Sequence, residues 1–78
     1  MRPPQTLDEL RRLLTPEMRD DLRRAAPLAR EAMNRGLPDR LILLRSFCLG
    51  FAAHWRLPED PETISGIVHL LLEEAGIL

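Results

Sequence analysis

The side chains in this sequence best suited to hold a metal ion or move a proton near neutral pH are His54, His69 and Cys48. They lie far apart in the chain, and no ligand pair has a short spacing of the Cys-x-x-Cys kind, so a metal would require distant elements to converge. A single cysteine also excludes an internal disulfide. His54 follows Phe47 and Phe51 at helical spacing and reads as a hydrogen-bonded histidine on the core side of a helix. His69 has Glu73 one turn on and reads as half of a surface ion pair. Cys48 sits in the most apolar run and reads as a buried, inert thiol. The sequence thus predicts no metal and no cofactor.

Catalysis by a nucleophile fares no better. Ser46, Ser65 and Cys48 have no nucleophile motif around them, and the chain contains neither Lys nor Tyr to serve as an activated amine or phenol. Asp20-Asp21 and Glu73-Glu74 are adjacent carboxylates, but helix neighbours point about 100° apart and cannot share a reacting atom. No catalytic residue is assigned, and enzymatic activity is not expected.

The arginines are the remaining candidates. Every positive charge is Arg, and Arg19, Arg23 and Arg30 share one strip of a helix that could contact phosphates. Against this, Asp20 can pair with Arg24 and Glu31 with Arg35, and no aromatic residue is interleaved for base stacking. Ala32 and Gly36 have the spacing of a helix-turn-helix small residue and turn glycine. The positions that motif buries would be the charged Glu31 and Arg35, and its recognition helix would be the most apolar stretch of the chain. A DNA-binding transcriptional regulator using Arg19, Arg23 and Arg30 is therefore the second reading, not the first. The net charge of −1 supplies no general pull toward nucleic acid or anionic membrane. It hides a mild split: residues 1–40 hold nine Arg against seven acids and residues 41–78 two Arg against five.

These side chains must be positioned by helices, since 45% hydrophobic residues at helical spacing and no strand pattern predict an all-α chain. With 78 residues it is one small domain, able to bury only roughly 60% of its unfolded surface. Met1–Gln5, with Pro3-Pro4, reads as a flexible arm with no apolar segment of a signal peptide behind it, and residues 6–78 as a single helical domain. Thr6-Leu7-Asp8-Glu9 is a capping box for a helix over 7–14. Thr15-Pro16-Glu17 starts a second over 16–35, kinked at Pro27, whose stripe of Met18, Leu22, Ala25, Ala29, Ala32 and Met33 stays in phase through the proline. Gly36 followed by Leu37 ends it. Asp39 caps a third helix over 39–55, and Asp60-Pro61-Glu62 opens a fourth over 61–75 that Gly76 ends, with Ile77 and Leu78 folding back. The fourth helix should bury Ile64, Ile67, Val68, Leu71, Leu72 and Ala75.

The third helix is apolar on nearly every side and is expected to be the centre of this four-helix bundle. One face, Leu43, Leu44, Phe47, Gly50, Phe51 and His54, reads as core. The other, Arg45, Leu49, Ala52 and Arg56 with Ile42 alongside, is too weakly polar for open water and reads as an interface. Residues 41–55 are too short for a membrane span and contain Arg45, so a cytoplasmic protein is expected. The function predicted is a small protein–protein interaction module: a regulator, adaptor or assembly subunit of the kind bacteria and phages encode. It would act as a homodimer or dock on another protein through a helical face.

Overall fold

The computed structural model describes residues 7–36 and 38–78; the expected arm, the Thr6 capping box and Leu37 lie outside these. The described residues form four helices and no strand: α1 Leu7–Leu13, α2 Pro16–Arg35, α3 Arg40–His54 and α4 Pro61–Glu74.

Two helix starts follow from local sequence. Thr15 is extended (φ −79°, ψ 165°), which turns its hydroxyl back to accept from the Met18 N–H at 3.3 Å, while Met18 Sδ accepts from the Thr15 N–H at 3.4 Å. Asp60 is extended too (φ −69°, ψ 156°) and accepts from Thr63 twice, from its N–H at 3.2 Å and its hydroxyl at 2.6 Å. The hydroxyl bond holds the Asp60 carboxyl below its usual range. Asp39 differs: at φ −99°, ψ 18° its carboxylate makes no capping bond. The expected cap of the third helix is thus absent, because its backbone lacks the extended conformation that aims a cap side chain at the first turn.

α2 runs through Pro27 as one helix. Pro27 and Arg23 both lie exposed, so the carbonyl that loses its donor to the proline ring faces water. The helix ends at Gly36, which adopts the left-handed conformation (φ 62°) that glycine tolerates.

The helix that touches all three others is α4, rather than the more apolar α3. Ile64, Ile67 and Leu71 of α4 are sealed against Met18, Leu22 and Ala29 of α2 and Leu44, Cys48 and Phe51 of α3. Leu70, left out of the sequence-predicted stripe, is buried with them, while Val68 and Leu72 are only half-buried. The seven-residue α1 is too short to be stable alone. It is held through Leu10, its one buried residue, which packs over Gly66 of α4. Burial of a leucine supplies about 2 kcal/mol, so α1 is the most easily detached element.

The C-terminal ends are also tied. Arg30 Nη1 donates to the Ala75 carbonyl at 3.3 Å, placing a cation at the negative end of α4. Ile77 N–H donates to Leu72 O at 3.0 Å beyond Gly76 (φ 75°), so the chain does turn back here, although both terminal side chains stay exposed.

Candidate functional site

α2 and α3 both pack on α4 more closely than on each other. On the side where they splay apart, α2 presents Ala25 and Ala29, whose side chains are too short to fill the space. What remains is an apolar groove between α2 and α3. One half, about 330 Å³, has Ala29, Leu44 and Leu71 toward its floor; the other, about 660 Å³, runs past Gly50 and Phe51 to Trp55. Leu28 and Phe47 border both halves. Charges sit at the margins: the Glu31–Arg35 ion pair (2.9 Å) at one end, Asp21 and Arg24 (2.8 Å) at the other. Leu28 on α2 is 64% exposed and Leu43 on α3 is 53% exposed, so large apolar side chains stand in water on both walls. Phe47, Phe51 and Trp55, four residues apart, form an aromatic row, with ring centroids 6.3 Å apart for Phe47–Phe51 and 6.4 Å for Phe51–Trp55.

The face assigned to the core of α3 needs correcting. Leu44, Cys48, Phe51 and Ala52 are buried, and Leu43, Gly50 and His54 are exposed. The inward direction is turned by about 90° from the expected one, counting 100° per residue. Ala52, predicted at the interface, is 0% exposed and cannot contact a partner. Ile42, Arg45 and Leu49 are exposed on the outer side of the same helix, and Arg56 is exposed just beyond its end. The physical reason is that apolar residues surround α3, so its periodicity selects no face; the neighbours do, and α4 covers the Cys48 side. His54 is not a core histidine: it stands exposed with its ring edge-on to Trp55 at 4.9 Å.

The other candidates are placed as follows. His69 Nε2 lies 3.3 Å from Glu73 Oε1, and Glu73 also accepts from Arg11 of α1. Cys48 is fully buried, and the loss of water pushes its thiol up to about 12 against the opposing pull of Arg45. Ser46 and Ser65 are exposed on separate helices. Among the described residues no three His, Cys, Asp or Glu side chains converge where a metal could sit, and no helix is long and apolar enough to cross a membrane. Arg19, Arg23 and Arg30 all stay exposed on α2, and each also makes a contact within the fold. Arg19 donates to Arg11 O (3.4 Å), Arg23 pairs with Asp20 (3.2 Å) and Glu74 (3.6 Å), and Arg30 caps α4.

Leu28 and Leu41 were not among the sequence-predicted surface residues. The signal for Leu28 is its place beside Pro27 on the polar side of α2, where an apolar residue has no core to enter. Compared with known proteins, the chain matches no protein family, no curated protein and no solved structure.

Proposed function

We propose that this chain is a cytoplasmic protein–protein interaction module without catalytic activity, a regulator, adaptor or assembly subunit that binds helices on the surface made by α2 and α3. The observation that carries this reading is the apolar groove with Leu28 and Leu43 exposed on opposite walls, together with Ile42 and Leu49 exposed on the outer side of α3. Large apolar side chains grouped on a small chain mark an interaction site more often than they serve the fold. An amphipathic helix laid along such a groove buries anchors at three- and four-residue spacing, which matches an apolar floor with charges only at its ends.

Phosphate binding by the exposed Arg19, Arg23 and Arg30 of α2 remains the second reading, placed behind the first because each of them also makes a contact within the fold. The reading is tested by capture from the native host with the wild-type chain and with Leu28→Asp and Leu49→Asp. Both side chains are exposed, so each variant should keep its helical circular dichroism. A host protein or second copy retained by the wild type and lost from one or both variants supports the module. Retention that neither substitution changes would overturn it.

A further inference from the structure

The outer side of α3 carries a seam in which Ile42, Ser46, Leu49 and Ala53 follow one another in alternate steps of four and three, and the residues flanking the helix, Asp39 before it and Arg56 after it, continue the same spacing in the sequence. That spacing keeps one line of residues facing a partner helix, as in a coiled coil. All six are exposed. Three of them, Ile42, Leu49 and Ala53, are apolar, and charges stand only at the two ends.

We infer that this seam pairs antiparallel with the same seam of a second copy, forming a two-fold symmetric dimer. The inference rests on the reading of the α2–α3 surface as a binding surface and names its partner. The register follows from the residues. With the chains antiparallel and their ends aligned, Asp39 meets Arg56 of the second copy, Ile42 meets Ala53, and Ser46 meets Leu49; the two-fold axis repeats each pairing in reverse. Every large apolar side chain then lies over a small residue, which lets the helices approach near the close end of the 8–10 Å range. Every terminal charge lies over its opposite.

The alternatives fail on the same residues. Sliding one copy by a heptad places Asp39 over Leu49, or Arg56 over Ser46, and shortens the overlap. A parallel pairing sets Asp39 against Asp39 and Arg56 against Arg56. The free monomer leaves the two end charges available: Asp39 makes no capping bond, and neither it nor Arg56 has an ion-pair partner among the described residues. Arg56 also holds a left-handed backbone (φ 58°) that costs a non-glycine residue free energy and is offset in the dimer by the contact with Asp39. An interface of this kind is self-complementary, the condition for a closed two-fold dimer that does not propagate into fibres.

The test is sedimentation equilibrium of the full chain and three variants, each confirmed folded by circular dichroism. The wild type should dimerise at tens of micromolar. Leu49→Asp, which buries a carboxylate twice per dimer, should raise the dissociation constant on the order of 100-fold. Asp39→Arg should raise it roughly tenfold, and the double variant Asp39→Arg/Arg56→Asp should return it to near the wild-type value. A wild-type chain that stays a 9.0 kDa monomer throughout overturns the dimer, as does a dimer indifferent to Leu49→Asp. A dimer weakened by Leu49→Asp but not rescued by the charge exchange overturns the register. Failure here is separable from failure of the module reading. A strict monomer whose capture of a host protein still depends on Leu28 or Leu49 loses only the self-pairing, whereas one whose capture depends on neither loses both.

Discussion

The indole N–H of Trp55 donates to Asp21 Oδ2 at 2.9 Å and so joins the C-terminal end of α3 to the first half of α2. This bond crosses one end of the groove. The other carboxylate oxygen accepts from Arg24 at 2.8 Å, an exposed pair that contributes little. The indole bond is partly buried and charge-assisted, so it should dominate the effect of removing Asp21. Asp21→Ala is expected to lower the unfolding free energy by about 1–2 kcal/mol and to shift Trp55 emission to the red as the ring gains water. Asp21→Asn, which keeps an acceptor, should fall between. An unchanged denaturation midpoint in Asp21→Ala would show that the bond contributes nothing.

Arg56 and Gly76 do the same work at two helix ends. Beyond α3, Arg56 N–H donates to Ala53 O at 3.3 Å and Leu57 N–H to Ala52 O at 2.8 Å; beyond α4, Gly76 N–H reaches Glu73 O and Ile77 N–H reaches Leu72 O, both at 3.0 Å. Each is a Schellman turn, which requires a left-handed residue at its first exposed position. Glycine meets that requirement without strain and arginine does not. Arg56→Gly should therefore stabilise the monomer by about 1 kcal/mol, measured by urea unfolding at a concentration low enough to exclude self-association. The same substitution should weaken any dimer in which Arg56 pairs with Asp39. A variant less stable than the wild type as a monomer would refute the strain.

The difference between these two turns also marks what could be read in advance. Thr15-Pro16-Glu17, Asp60-Pro61-Glu62, Gly36 and Gly76 announced helix ends because each residue type has a local reason to be there, and the four-helix architecture followed from them. Arg56 announced nothing, since arginine has no preference for the left-handed region and is placed there by Leu57 packing against the core. The inward face of α3 was hidden for a different reason. Leu43 and Leu44 are chemically the same, and only the position of α4 decides that Leu44 is buried and Leu43 is not. The groove was hidden further still, because it depends on the splay of α2 from α3 and on Ala25 and Ala29 being too short to fill it.

Two helical glycines should respond oppositely to the same change. Gly50 is exposed within α3, and a Cβ added there meets nothing within 4 Å; Gly50→Ala should stabilise the fold by about 1 kcal/mol through helix propensity alone. Gly66 has the same propensity to gain, but an added Cβ would lie 2.8 Å from Leu10 Cδ2, a methyl group of a buried side chain that must shift to admit it. Overpacking costs about 1–3 kcal/mol and displaces the element that is held least firmly. Gly66→Ala should lower stability and raise amide exchange across Leu7–Leu13 without affecting α3. Equal stabilisation by both substitutions would mean that α1 moves aside at no cost.

Cys48 sets an alkaline limit on the fold. Its thiol ionises near 9.0 in the unfolded chain and is pushed up to about 12 in the folded one, with burial as the main cause. Between those values the unfolded chain binds fewer protons than the folded chain, so stability falls as pH rises through that window and Cys48 adds no pH dependence below it. The slope approaches about 1.4 kcal/mol per pH unit where one state is ionised and the other is not. Cys48→Ala should be less stable than the wild type at neutral pH, by about 1 kcal/mol for the lost sulfur packing, and should lack this alkaline slope. The two stability curves should therefore cross within about one pH unit above 9.0, the wild type being the less stable beyond the crossing. A thiol reagent gives an independent reading, because only a chain that has opened exposes the thiolate. Modification of the wild type at pH 8 should be slow and accelerate with urea in proportion to the unfolded fraction. Rapid modification without denaturant would mean that the α3–α4 contact opens locally around Cys48 while the rest of the bundle holds.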